Sequence, residues 1–379
     1  MKKNMQMIDL HSQYKRLKKE IDTAMKEVIK HTSFINGTQV NTFSTRLAEY
    51  LNVPYVIPCG NGTDAIRIAL NALNVQAGDE IIIPAFTYIA AAEMVASLGL
   101  IPVLTDVDAD TFNINTALLE RAITRQTKAI IVVHLFGQAC DMDPVMKIAE
   151  KYKISVIEDN AQSLGADYTF PDGTVKKAGT IGHIGITSFF PTKPLSCYGD
   201  GGAVMTSDSE LAARIRMLTN HGQTKKYHHK IIGCNSRLDT IQAAILNVKL
   251  NYMEDFTRAR QKAAQYYDQT LSRLSEIKIP TKSSFSTHIY HQYTLRVKNE
   301  RRDALQAHLK EHGIPSAVYY PLAIHEQEGY RWVARISDDV NTATRLCREV
   351  LSLPIHTEMK DEELQLITDS ITRFFRLES

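Results

Sequence analysis

Cysteine is scarce: the five residues Cys59, Cys140, Cys197, Cys234 and Cys347 lie far apart, are odd in number and form no C-x-x-C pair. That pattern excludes a disulfide framework or a zinc ribbon and points to a reducing, cytoplasmic setting. Net charge is nearly absent too. The 44 Lys and Arg against 42 Asp and Glu leave +2, too little for a field that gathers nucleic acid or an anionic membrane. There is no long hydrophobic run either. The least charged stretch, residues 81–104, contains Pro84 and Glu93 and changes from Ile-rich to Ala-rich, so a strand and a helix account for it better than a membrane span. The opening MKKNMQMIDLHSQYKRLKKEID lacks the apolar stretch of a signal peptide and is expected to stay on the protein.

What is present is an ordinary globular composition, 44% apolar and 23% charged over 379 residues, with room for two to three domains. From about residue 60 to 210, β-branched runs alternate with segments of helical period, which predicts a mostly parallel sheet covered by helices. Strands are expected at AIIVVHL (129–135), ISVIED (154–159), GITSFF (185–190) and GGAVMTS (201–207). Between the first two, DMDPVMKIAEKYK reads as a helix capped by Asp141 or Asp143, with Pro144 in its first turn. Residues 237–274 keep helical spacing throughout and predict one long helix linking two domains. Beyond Ile277, HIYHQYTLRV reads as a strand, RRDALQAHLKEHG as a helix closed by Gly313, and the chain from Asp361 as a final helix.

Three segments carry chemistry. In CGNGTDAIRIALNAL (59–73), a glycine turn with Gly60 and Gly62 runs straight into an amphipathic helix with Thr63 and Asp64 at its start. A helix N-terminus offers unpaired N–H groups and dipole to an anion, although the same string also makes an ordinary capped helix. In VIEDNAQSLGA (156–166), an apolar strand ends in Glu158 and Asp159, followed by Gln162. Ligands of parallel sheets bind beyond the carboxyl ends of strands, so Asp159 is a functional carboxylate, a metal ligand or the cap of a helix starting near Ala161. In TSFFPTKPLSCYGDGGAV (187–204), Lys193 sits among Phe189, Phe190, Pro191, Pro194 and Leu195. An amine in such surroundings is partly desolvated, titrates low and is nucleophilic toward an aldehyde. An anion seat, a strand-end carboxylate and a buried lysine together answer the phosphate, the ring nitrogen and the aldehyde of pyridoxal 5′-phosphate.

The strings GNGTDA, PAFTYIAAAE, VIEDNAQSLGA, SFFPTKPLSCYGDGGAV and HHKIIGCNSRLDTIQAAIL, in order from residue 34 to about residue 330, resemble the DegT/StrS family of nucleotide-sugar aminotransferases. The resemblance implies an α/β fold-type I enzyme with a mostly parallel seven-stranded sheet in a large cofactor domain (1–250), and a smaller α+β domain (251–379). It implies a homodimer with shared active sites, and pyridoxal phosphate on Lys193, which also shuttles a proton. Asp159 would face the ring nitrogen and Gln162 the ring hydroxyl. Gly62, Thr63 and Ser188 would hold the phosphate, Tyr88 would stack on the ring, and Asn235 would reach the phosphate in the neighbouring subunit. Phe86 competes with Tyr88 for stacking, since residues two apart on an extended segment share one side. The implied reaction is a ping-pong exchange between L-glutamate and a nucleotide-linked keto sugar.

HGQTKKYHHKIIGCNSRLD (221–239) most resembles the aminotransferases that act on UDP-2-acetamido-2-deoxy-3-oxo-glucuronate in bacterial surface-polysaccharide (O-antigen) synthesis. Lys225, Lys226, His228, His229 and Arg237 give this segment more cationic capacity than a neutral deoxysugar needs, and Arg237 suits a carboxylate, though a structural ion pair is an equal reading. Tyr319, Tyr320 and His325 fall where the family places a substrate loop, and could instead pack on the dimer mate. Asn160, Ser196 and Glu328 depart from the family pattern. The alternatives are a dTDP- or UDP-keto-6-deoxysugar as acceptor, sugar dehydration, disfavoured by Lys193, and a non-catalytic regulator. Adjacent His228 and His229 lack the spacing of a helical zinc pair, so no metal is expected.

Overall fold

The structure is a computed structural model describing residues 5–376. Eight strands form the central sheet: β1 (Tyr55–Cys59), β2 (Glu80–Pro84), β3 (Ile101–Thr105), β4 (Thr127–Val133), β5 (Ser155–Asp159), β6 (Ile184–Ser188), β7 (Gly202–Thr206) and β8 (Arg335–Ile336). Their spatial order is β1-β7-β6-β5-β4-β2-β3-β8. All neighbours run parallel except β7, which is antiparallel to both β1 and β6. The eighth strand corrects the expected seven. It is two residues long and returns from the C-terminal part of the chain to the edge of β3, far too short to show a period in sequence.

The β-branched runs are explained by burial on both faces. In β4, Ile131 and Val133 join a core with helices Gly62–Ala72, Ala90–Ser97, Ser209–Thr219 and Asn341–Glu349, while Ile130 and Val132 face Met142–Tyr152. Helices Leu10–His31, Thr38–Leu51 and Thr240–Leu250 form a further layer over β1 and β7. Asp141 takes the N-cap position of Met142–Tyr152, but its carboxylate accepts the Tyr168 hydroxyl at 2.6 Å.

The expected long helix is two helices, Thr240–Leu250 and Met253–Leu271, broken at Asn251 and Tyr252. The reason is the direction of burial. The first packs Ala243, Ile245 and Leu246 against the large sheet's layer, whereas the second packs Ala263, Ala264, Tyr267 and Leu271 against a second sheet. That second sheet is antiparallel, with Tyr293–Val297 between Ile277–Lys278 and Val350–Leu353. Helices Arg302–Glu311 and Asp361–Arg376 share its core, and Gly313 at φ +71° follows the former.

Between the sheets, residues 317–337 form a strap. Ala317 bridges to Ser352, and the Ile324 and Ser337 N–H groups donate to Ala85 and Leu104 carbonyls at 3.0 and 2.9 Å. Arg335 grips Glu80 with two bonds of 2.9 and 3.0 Å. All five cysteines are free thiols. Among the described residues no helix is long and apolar enough to cross a membrane.

Candidate active site

Strands β1, β2, β4, β5 and β6 run the same way, so their carboxyl ends open on one edge of the sheet. A cavity of about 1010 Å³ lies there, bordered by Gly62, Thr63, Tyr88, Asp159, Gln162, Ser188, Lys193, Tyr319 and Tyr320. This is where open parallel sheets bind ligands.

The anion seat is built by close approach. Asn61 caps the helix, accepting the Asp64 N–H at 2.7 Å. Asp64 instead pairs with Arg67 at 2.8 Å and accepts the Ser236 hydroxyl at 2.7 Å. A Cβ on Gly62 would fall 2.7 Å from the Ser188 Cβ. Only glycine lets the helix N-terminus and the Ser188 hydroxyl stand side by side, with Thr63 next to them.

Lys193 follows β6 in a turn closed by its own N–H to the Phe190 carbonyl at 2.8 Å. Burial pushes its ammonium pKa down and the Asp159 charge partly restores it. Asp159 ends β5. Burial raises its carboxyl pKa, while the Ala161 N–H, 3.0 Å away, and Lys193 pull it down. No helix starts at Ala161; the chain turns there instead, so the carboxylate closes a turn and still borders the cavity. Gln162, 6% exposed, has its Oε1 accepting the Phe136 N–H at 2.9 Å while its Nε2 donates to the Tyr320 hydroxyl at 3.2 Å.

Tyr88 stands at the rim, 59% exposed, while Phe86 is buried to 1% and contacts Phe112, Phe136 and Tyr320. The chain bends at residues 85–87, so the premise that both rings share one side of an extended segment fails, and Phe86 is an anchor beneath the cavity wall.

Four expected residues lie outside this cavity. Asn235 is exposed and bridges to Asn220. His229 sits in the exposed hairpin of Gln223–Lys225 and His228–His229, its Nδ1 donating to the His221 carbonyl at 2.7 Å. Arg237 lines a separate groove of about 460 Å³ with Arg216 and Asn36. His325 pairs with the Thr344 hydroxyl at 3.1 Å, away from the cavity wall. The sequence reading missed His291 and Gln292, which border the cavity at 4% and 7% exposure. Their only signal was a polar cluster ahead of the alternating pattern in HIYHQYTLRV.

The donor set, N–H groups and hydroxyls at the helix end, an amine and a carboxylate, fits the cofactor expected from the sequence. A sequence profile described as the DegT/DnrJ/EryC1/StrS aminotransferase family matches residues 15–372. The chain is 44% identical over 367 residues to the UDP-2-acetamido-2-deoxy-3-oxo-D-glucuronate aminotransferase of Pseudomonas aeruginosa, covering 97% of this chain and 99% of that one. It is 42% identical over 375 residues to a Geobacillus stearothermophilus protein named pleiotropic regulatory protein, covering 98% and 99%. The crystal structure of S. venezuelae DesV in complex with a ketimine intermediate matches with a TM-score of 0.93 at 34% identity, covering 98% of each chain.

Proposed function

The chain belongs to the DegT/DnrJ/EryC1/StrS aminotransferase family, whose enzymes use pyridoxal phosphate, and from that premise we propose that it transfers the amino group of L-glutamate to the 3-keto group of UDP-2-acetamido-2-deoxy-3-oxo-D-glucuronate. The products are 2-oxoglutarate and the 3-amino sugar, destined for surface polysaccharide in the cytoplasmic stage of its synthesis. The observation that carries the reading is the pair Lys193 and Asp159 facing one cavity beside the Gly62 helix end. The acceptor rests on the Pseudomonas relative at 44% identity.

When bound, pyridoxal phosphate supplies an aldehyde that accepts the amine and a ring that spreads the electron pair left at the donor α-carbon. Lys193 holds the proton taken from that carbon and returns one to the sugar carbon in the second half-reaction; its lowered pKa leaves the amine free to do so. Asp159 gives the cavity floor its anion and Gln162 offers the amide, locked by Phe136 and Tyr320. Gly62, Thr63 and Ser188 seat the phosphate. Tyr88 would cover the cofactor's ring, and Tyr319 and Tyr320 would form the acceptor wall.

Asn235, His229 and Arg237 serve a neighbouring subunit's cavity in a homodimer. Support comes from their position outside their own chain's cavity, from the exposed Tyr227 and Ile232 nearby in sequence, and from the exposed Phe34 and Ile35, brought to this segment by the Thr240 N–H donating to the Phe34 carbonyl at 3.0 Å, apolar surface that a second copy would cover. The regulatory name of the Geobacillus relative does not favour a non-catalytic reading, since Lys193, Asp159, Gln162 and Ser188 all border the cavity.

The test offers L-glutamate with the UDP-3-keto uronate and with dTDP- and UDP-linked keto-6-deoxysugars, scoring amino-sugar product by mass. Turnover of the uronate well above the neutral sugars is expected; equal turnover overturns the uronate assignment.

A further inference from the structure

His291 enters the cavity on a strained turn. Gly137, at φ +123°, comes so close that a Cβ there would lie 2.7 Å from the Tyr290 N and 2.8 Å from the His291 N. Tyr290 itself has φ +52°, a costly conformation for a bulky side chain and one that concentrates at functional sites. The turn is held by the Ile289 N–H to the Gly137 carbonyl at 2.7 Å and the Gln292 N–H to the Phe136 carbonyl at 3.2 Å. Fold alone does not require a histidine there.

The charges that bear on His291 are both positive. Burial first, then Lys193 and Arg260, hold its pKa well below the ordinary histidine value. Arg260 is 4% exposed and stands behind the turn. Its Nη1 donates to the Tyr290, His291 and Ile355 carbonyls at 3.3, 3.4 and 3.2 Å, and among the described residues no carboxylate pairs with it. The Arg260 Nε and the His291 Nδ1 are both buried without a hydrogen-bond partner. A buried guanidinium lacking a counter-ion is expensive, and an unsatisfied buried polar atom beside it asks for a reason. An anion arriving in the cavity that His291 borders supplies one.

We propose that His291, backed by Arg260 and flanked by Gln292, is the seat of the amino donor's α-carboxylate. This rests on the aminotransferase reading and names the donor's subsite within it. The α-carboxylate is bonded to the reacting carbon, so it must lie against the wall next to Lys193, where His291 is. The carboxylate of a hexuronate lies several bonds from a 3-keto carbon and has to be met elsewhere.

In a ping-pong reaction, kcat/KM for L-glutamate reports the donor half alone and kcat/KM for the keto sugar the acceptor half. His291→Phe should lower the former about 10- to 100-fold, the worth of a hydrogen bond to a charged group. The sugar value should stay within a few-fold, and His291→Asn, which keeps an N–H donor, should recover most of the loss. A readout apart from turnover is calorimetric binding of glutarate, which carries carboxylates but no amine; His291→Phe should weaken it by the same factor. Unchanged glutarate binding, or an equal fall in both kcat/KM values, overturns the proposal. If His291→Phe does not fold, the comparison is made with His291→Leu and His291→Asn on the same two readouts. A wild-type protein that moves no amine from glutamate to any keto sugar overturns the aminotransferase reading instead, before any variant is compared.

Discussion

Lys193 and Asp159 each hold the other against the charge state that burial would impose. Burial favours the neutral amine and the neutral acid; each charge partly reverses the effect on its partner. The pair is therefore poised, and the group placed between them decides where its protons rest.

Replacing Asp159 by Asn removes the anion that raises the Lys193 pKa, so the amine should stay neutral to lower pH than in wild type. With the charge under the reacting centre gone, kcat should fall about 10²- to 10³-fold. The pH dependence of Lys193 modification by an amine-selective reagent in the cofactor-free protein checks the first, and steady-state rates of the loaded enzyme check the second. A titration that moves up in pH, or an undiminished kcat, contradicts the assignment.

Lys249 is a second buried amine, at 1% exposure, and it touches the loop that carries Lys193. Its Nζ donates to the Ser196 hydroxyl at 3.1 Å and lies 4.6 Å from the Tyr198 ring centroid. Burial lowers its pKa from 10.5 to about 8. Below pH 8 the folded protein protonates Lys249 against that burial, at about 3 kcal/mol at most. As pH rises from 8 to 10.5 the unfolded chain deprotonates as well and the cost fades. The stability of wild type relative to Lys249→Met should therefore shift in favour of wild type by about 2–3 kcal/mol between pH 7.5 and 10.5. Urea unfolding at both pH values measures it, and a constant difference would show that Lys249 titrates alike in the folded and unfolded chain, so that burial does not lower its pKa.

Asn235 and Lys193 belong to different cavities if the sites are shared. Mixing Lys193→Ala with Asn235→Ala, each nearly inactive alone, should then restore about a quarter of wild-type activity per dimer on random pairing, since half of the dimers are mixed and each has one intact site. Rates of the refolded mixture against the separate variants decide it. No recovery, with mixed dimers confirmed by mass, places Asn235 outside a shared site.

Legibility in the sequence followed the range over which a feature is determined. Asp159 was readable because it ends a β-branched run, and Lys193 because it follows one in a stiff apolar stretch; strand ends of a parallel sheet converge whatever the rest of the chain does. Which residue caps this helix is not legible in CGNGTDA, because Asn61, Thr63 and Asp64 stand together; the structure gives the cap to Asn61. The break at Asn251 was hidden because both helices are amphipathic; what differs is the partner each face finds. His291 was invisible for the same reason, since its place depends on Gly137, more than 150 residues away in sequence. Phe86 and Tyr88 were separated by a bend that no side-chain period records.

The strap over residues 317–337 is stitched to both sheets, at Ser352 on one and at Ala85, Leu104 and Glu80 on the other. A wall sewn down along its length is a poor swinging door. If Tyr319 and Tyr320 form the acceptor wall, diversification toward new acceptors on this scaffold is channelled into exchanging those side chains, with the route of the main chain left as it is, much as a lock is rekeyed by its pins and not its housing.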